Sequence, residues 1–351
     1  VERIYLLEPG TFLKKEGTNL ALTRDGKVID RVSLDGLKQL TLIGYTSLSG
    51  AVLRALVRNR IETVLLTPTG RFEGRLCVDE HKQVLRRKAQ YLRLSDPVMQ
   101  AAVAESIVKG KLRSQARLLL LRGQQFGEPT LLASGAAIRA LEKGFPSGMT
   151  DLDFIRGVEG HGSRIYFSAF PDMLRNPDFT FPGRVKRPPT DPVNALLSFV
   201  YSVLTNEVLS AIQRVGLDPY LGSLHEVSYG RPSLACDLVE EWRAFIADRL
   251  VLGLLNRKSI SPDNFVYRPS DQKVFADEEE LKARRPVEMK PATMRALLKA
   301  YDAWMNTRVL DPADGKKTSY REILFAQARR FNSWIMGESE MYLPFAWDKV
   351  R

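Results

Sequence analysis

Cysteine is nearly absent: Cys77 and Cys236 are the only two, far apart in the sequence. That excludes a disulfide framework and a zinc knuckle, and fits a reducing, cytoplasmic setting. No apolar run approaches the roughly 20 residues that span a bilayer, so no membrane partner is expected. The N-terminus opens into a strand pattern rather than a signal peptide. Internal repeats and low-complexity segments are lacking too. Acidic residues are outnumbered, 41 against 52 Lys and Arg, for a formal net charge of +11. A chain that basic points to a polyanionic partner, most simply nucleic acid.

With 351 residues, 44% of them hydrophobic, the chain is long enough for two folded domains. Residues 1–78 read as short alternating strands (RIYLLEP, TFLKKEG, NLALTRDG, KVIDRVSL, LKQLTLIG, ETVLLTP, GRFEGRL) with one helix, SLSGAVLRALVRNR. Asp25-Gly26 is a strong hairpin signal. From about Asp79 the period becomes helical, which gives an α+β chain: a small β-rich N-terminal domain (1–78) and a larger all-α C-terminal domain (79–351). The helical pattern from Lys82 to Arg122 is strongly basic and breaks at Asp96-Pro97. Such a face is as readily solvated as it is a track for phosphates. Two helices are expected over 130–155, leading into the small-residue run Gly157–Ser163 that holds Glu159. A Pro-rich loop carries Arg184, Lys186 and Arg187. A long apolar helix, DPVNALLSFVYSVLTNEVLSAIQRVG, follows, with Asn194 and Tyr201 its notable polar members. Residues 258–290 look like a charged insertion with strand-like pieces (NFVYRPS, KVFAD). Two further helices and a short aromatic tail, MYLPFAWDKVR, complete the chain.

The chain is organised around the segment from His225 to Asp248. A Tyr-Gly-Arg-Pro turn leads to Ser233, the expected N-cap. The helix after it repeats Leu234, Leu238, Trp242, Phe245 and Leu250 on a core face. Asp237 lies three residues before Glu240 and four before Glu241, so carboxylates gather along one side. One explanation is a solvated acidic first turn favoured by the helix dipole. The other is a site. Glu159, His225 and the Asp237/Glu240 pair come from separate segments that only the fold can bring together. If they meet, one imidazole and two or three carboxylates make a mostly hard ligand set, suited to Mg²⁺ or Mn²⁺ with open water positions. His225 as a core-edge histidine and Glu159 as a helix-end carboxylate remain the competing assignments.

At these residues the sequence resembles a known family, the CRISPR-associated adaptation integrase, the larger of the two universal CRISPR adaptation proteins. The resemblance is carried by RGVEGHGSRIYFSAF, RPPTDPVNALLSFVYSVLTNEVLSAIQRVGLDPYLGSLHE and GRPSLACDLVEEWRAFIADRLVLGLLNR. It extends, with the β-then-α layout, over essentially the whole chain. It implies that the N-terminal domain makes a homodimer and that the helical domain carries a divalent-metal site. Glu159, His225 and Glu240 match the family's ligand positions, and Asp237 matches an acidic position that is a ligand or a near neighbour.

The implied activity is insertion of captured DNA into the CRISPR array, with a prespacer 3′-hydroxyl attacking a phosphodiester at the repeat boundary, and metal-dependent DNA cleavage as the companion reaction. Arg231, with Arg86, Arg87, Lys111, Arg113, Arg184, Lys186 and Arg187, would position phosphates without reading sequence. Implied partners are prespacer DNA, CRISPR repeat DNA and a small companion adaptation protein, in a hetero-hexamer of two dimers about a companion dimer. An upstream iron–sulfur nuclease, fused or separate, is a further implied partner, and the start at Val1 is compatible with a fusion. A non-catalytic DNA-bridging subunit and a junction-specific repair nuclease are the alternatives.

Overall fold

The computed structural model describes residues 2–7, 10–68, 70, 72–76, 82–146, 148–185, 188–267, 287–311 and 315–347. The chain divides into two compact units, residues 1–82 and 83–351. The boundary expected at 78–79 lies outside the described residues, as do Lys186, Arg187 and the KVFAD segment.

Among the described residues, the N-terminal unit contains two four-stranded sheets and one helix. The first contains β1 (Arg3–Leu6), β5 (Gln39–Ile43), β7 (Glu62–Leu66) and β8 (Phe72–Leu76), in that order; only β8 is antiparallel to its neighbour. The second runs β4 (Lys27–Ser33), β3 (Asn19–Arg24), β2 (Thr11–Glu16), β6 (Thr46–Leu48). The Asp25-Gly26 signal is met by the β3–β4 hairpin, with φ of 48° and 76°, the pair of positive values that such a two-residue turn requires. Strand β6 occupies residues expected at the start of the helix. Helix α1 (Gly50–Arg58) begins after it, where the Ser49 hydroxyl accepts a hydrogen bond from the Val52 amide. Leu13, Leu20, Leu40, Leu42, Val52 and Leu56 form the core of the unit.

In the helical unit the break at Asp96-Pro97 separates α2 (Val84–Leu94) from α3 (Pro97–Phe126). Asp96 accepts from the Val98 and Met99 amides, and Gly127 ends α3 at φ 68°. Helices α4 (Pro129–Lys143), α5 (Leu152–Ala169) and α6 (Pro192–Val215) follow. Helix α6 starts at the Asp191 cap and stops at Gly216, φ 88°. By length and mean hydropathy α6 could span a bilayer, contrary to the sequence reading, but 78% of its apolar window is buried inside the unit. It is a core helix.

The organising helix is longer than expected. It comprises α7 (Ser233–Trp242), a π-helical segment (Arg243–Asp248) and α8 (Arg249–Asn256). Ser233 is its first residue rather than its cap, and its hydroxyl donates to the Glu226 carbonyl at 2.9 Å. Beyond it come β9 (Phe265–Tyr267) paired with β10 (Val287–Met289), α9 (Pro291–Met305), the β11 (Arg308–Leu310)–β12 (Lys317–Ser319) hairpin and α10 (Tyr320–Ile335). The aromatic tail is buried: Phe345 stacks on Trp242 with centroids 4.0 Å apart, and Tyr342 is 2% exposed.

Two glycines set how close the helices come. A Cβ on Gly162 of α5 would lie 2.2 Å from Leu112 Cδ2 of α3. A Cβ on Gly110 of α3 would lie 2.7 Å from Pro344 Cβ and 3.1 Å from Glu241 Cγ. The run Gly157–Ser163 is therefore helix interior, which corrects the expectation that the helix ends before it. Each glycine costs a helix up to about 1 kcal/mol, and close packing at Gly162 offsets that cost. We predict that Gly110→Ala destabilises the protein by about 1–3 kcal/mol through over-packing. Gly157→Ala, whose Cβ would meet nothing within 4 Å, should stabilise it by up to about 1 kcal/mol. Urea midpoints that move equally for the two variants would contradict this packing assignment.

Candidate metal centre

Lys111 lies between Gly110 and Leu112, the two points at which α3 is pressed against α7 and α5. Its ammonium enters the junction of the three helices, where the side chain is only 7% exposed. It bonds to Glu159 Oε1 of α5 and stands 2.9 Å from Glu240 Oε2 of α7. The opposite oxygen of Glu240 pairs with Arg243 Nη1 at 2.6 Å. Burial pushes the Glu240 carboxyl upward, but Arg243 and Lys111, helped by His225, outweigh it and hold the group at about 2. Glu240 is thus a buried carboxylate whose charged form is favoured by cations on both sides. Glu159 is more open and accepts a second bond, 3.0 Å from Ser163.

His225 is held by a tight turn wrapped around Asp237. The carboxylate of Asp237 accepts from the amides of Ser223 (2.6 Å), Leu224 (3.0 Å) and His225 (3.0 Å) and from the Ser223 hydroxyl (3.3 Å). It also meets His225 Nδ1 at 2.7 Å. An acceptor so placed favours a proton on Nδ1 and leaves Nε2 as the ring nitrogen not engaged by Asp237. Asp237 is wholly buried, its oxygens already engaged. Of the two roles the resemblance left open, its position behind the imidazole fits the near neighbour. Gly222 makes the wrap feasible, since a Cβ there would lie 2.5 Å from Asp237 Oδ2 and 2.7 Å from the Ser233 backbone.

A second buried acid ties the frame together. Asp248 accepts from the hydroxyls of Tyr166 (α5) and Tyr201 (α6), each at 2.6 Å. The guanidinium groups of Arg184 and Arg243 lie against the Tyr201 ring, 5.3 and 5.0 Å from its centroid. Glu241, beside Glu240, accepts from Tyr342 (2.8 Å), the Phe345 amide (2.6 Å) and Gln327 (2.6 Å), which fastens α7 to the buried tail.

Several residues expected on a phosphate track have other tasks. Lys111 is inside the junction. Arg184 bonds Asn194 Oδ1 (2.7 Å), Ser198 (3.1 Å) and the Val185 carbonyl (2.7 Å). Arg113 pairs with Glu142 at 2.6 Å, and Arg86 donates to the Val215 carbonyl at 2.5 Å. Arg87 is half-buried. Arg231 is exposed, on the turn that follows His225. Sequence reasoning did not assign Arg243, Gly222 or Asp248 to the site. Only Arg243 carried a signal, its i+3 spacing from Glu240.

Among the described residues no three His, Cys, Asp or Glu side chains already stand together as a metal cluster. An ammonium bridges the two carboxylates instead. The donor chemistry nevertheless fits a hard divalent ion: Glu159 and Glu240 converge on one positive charge, Glu240 Oε2 is buried with no hydrogen bond of good geometry, and His225 offers an oriented nitrogen.

Residues 4–285 match the family model described as CRISPR associated protein Cas1. The chain belongs to the Cas1 family. It is 35% identical to CRISPR-associated endonuclease Cas1 3 of Thermus thermophilus, over 98% of this chain and 96% of that protein. It is 30% identical to a CRISPR-associated exonuclease Cas4/endonuclease Cas1 fusion of Geobacter sulfurreducens, over 97% of this chain and 60% of the fusion. Among solved structures, a casposase bound to integration product superposes with a TM-score of 0.80 at 20% identity, covering 99% of this chain and 94% of that one. A Cas6-RT-Cas1–Cas2 complex gives 0.77 at 20% identity, covering 98% of this chain and 36% of its counterpart. These likenesses establish the Cas1 fold, a β-rich unit followed by a helical one.

Burial raises the Asp248 carboxyl to about 6, against the lowering effects of Tyr166, Tyr201, Arg184 and Arg243. Its ordinary value is 3.8, so between about pH 4 and 6 the unfolded chain ionises while the native state still holds the proton. We predict that unfolding free energy contributed by this group falls as pH rises through that window. Asp248→Asn should flatten the fall, measured by urea denaturation at a series of pH values. An unchanged slope in the variant would show that Asp248 does not carry this dependence.

Proposed function

We propose that this Cas1-family chain is a divalent-metal-dependent DNA integrase and endonuclease of CRISPR adaptation. The observation that supports it most is the convergence of Glu159 and Glu240 on one cation, with His225, its ring held by Asp237, near enough to act on Glu240 electrostatically. Glu159, Glu240 and His225 Nε2 would hold the ion, and Asp237 would act through the imidazole. Bound there, Mg²⁺ or Mn²⁺ would polarise the scissile phosphodiester and offset charge developing on its oxygens.

The chain itself forms no covalent bond to DNA. The 3′-hydroxyl oxygen of a captured fragment attacks phosphorus at the repeat boundary. A new P–O bond forms as the old one breaks, the attacking hydroxyl gives up its proton, and the departing 3′-oxygen takes one up. The number of phosphodiesters is unchanged, so no energy-rich cofactor is needed. With water as the nucleophile the same site is a nuclease. Arg231, exposed beside His225, suits a phosphate contact.

Two copies would pair through the N-terminal unit, where edge strand β4 exposes Val28 and Ile29, an arrangement open to strand or face pairing. The small companion, Cas2, would join two such dimers into a hetero-hexamer across prespacer and repeat DNA. Support comes from the Cas1–Cas2 assembly named for a neighbour of the same fold. An iron–sulfur nuclease, Cas4, is the further partner, supported by the relatives in which Cas4 and Cas1 are fused.

The test is strand transfer of a 3′-hydroxyl prespacer into a supercoiled repeat-bearing plasmid, with Cas2 and Mn²⁺. Wild type should integrate, and His225→Ala should lose on the order of 100-fold, since removing even a group behind a metal ligand costs about 10–100-fold. Equal integration by both would make His225 structural and overturn the mechanism. Cleavage of branched DNA without Cas2, with no integration, would favour a junction nuclease instead.

A further inference from the structure

The half-buried junction holds two carboxylates, and one ammonium touches both. Lys111 is brought there by backbone packing on either side of it: Gly110 against Glu241 and Pro344, Leu112 against Gly162. Its side chain is 7% exposed, and Ser114, one turn on, donates to the Glu241 carbonyl at 3.0 Å. An ammonium in such a place is costly to desolvate unless its partners are charged, and here they are Glu159 and Glu240. Glu240 is also neutralised from its other side by Arg243. The formal charge of Lys111, Arg243, Glu159 and Glu240 is therefore zero with no metal present.

A divalent ion added to that neutral set would face Lys111 at close range, in competition for the same two carboxylates. Like charges that close repel strongly in a partly desolvated site. We propose that Lys111 is the built-in counter-cation of the metal centre: it holds Glu159 and Glu240 together while the site is metal-free, and yields them when the ion binds. This rests on the metal-site reading above and adds a positioning residue to it.

The experiment is Mn²⁺ titration of the full chain by isothermal calorimetry, with thermal unfolding in parallel, for wild type, Lys111→Met and Lys111→Arg. Lys111→Met should bind Mn²⁺ on the order of tenfold more tightly, within the range usual for coupled sites. Its metal-free form should melt lower than wild type, and saturating Mn²⁺ should raise its melting temperature by more than it raises wild type's. Lys111→Arg, which keeps the charge, should stay near wild-type affinity and provides the comparison if Lys111→Met folds poorly. Unchanged or weaker Mn²⁺ binding by Lys111→Met would overturn the counter-cation, since a lysine that merely supports the fold gives that result. An Arg variant that binds as tightly as the Met variant would overturn it too. No Mn²⁺ binding by wild type or any variant would instead bring down the metal-site reading on which the proposal stands.

Discussion

Two carboxylates that both stay ionised in a partly buried junction need a cation between them. That constraint orders the helical unit of this protein. Glu159 arrives on α5, Glu240 on α7, and the ammonium that reconciles them on α3. Each helix reaches the junction by close packing where a side chain is missing: Gly162 lets α5 down onto Leu112, and Gly110 admits Pro344 and Glu241. Electrostatics and packing thus specify the same geometry.

Around this centre lies a frame of buried acids, each saturated by donors. Asp237 gathers a turn and turns the His225 ring. Asp248 draws together α5, α6 and the π-helical segment through two tyrosines. Glu241 anchors the aromatic tail behind α7. The three acids lie on one continuous helical stretch, Ser233–Asn256, and each organises a different neighbour. The π-helical turn between Glu240 and Asp248 is an irregularity of the kind that recurs at functional sites. The stretch behaves as an axle from which the site's partners are hung.

Much of the backbone was legible in the sequence because its signals are local. Asp96-Pro97, Asp191, Gly216 and Asp25-Gly26 mark their boundaries by capping and positive φ, which depend on adjacent residues only. Glu159, His225 and Glu240 could be nominated by residue type and by family resemblance. What converges on them could not, because it is set by tertiary contact. Lys111 and Arg184 looked like phosphate contacts, since a sequence displays charge but not burial. The Gly157–Ser163 run looked like a helix end, since its glycines weaken a helix locally and their compensation, Leu112, lies far away in the chain. The tail looked only short and aromatic, yet Tyr342, Phe345 and Trp347 complete the core against Glu241, Trp242 and Phe245, far earlier in the chain. Strands β11 and β12, three residues each, are too brief to leave a periodic trace.

If the proposed centre is right, one divalent ion sits where α3, α5 and α7 meet and takes His225 Nε2 as a ligand beside Glu159 and Glu240. Pulsed electron paramagnetic resonance of bound Mn²⁺ reads that bond directly. The account predicts modulation from one directly coordinated nitrogen in the wild-type protein and its loss in His225→Ala, with Mn²⁺ still bound at saturating concentration through Glu159 and Glu240. Mn²⁺ held only by oxygen in the wild type, or a nitrogen signal that survives the substitution, would contradict it.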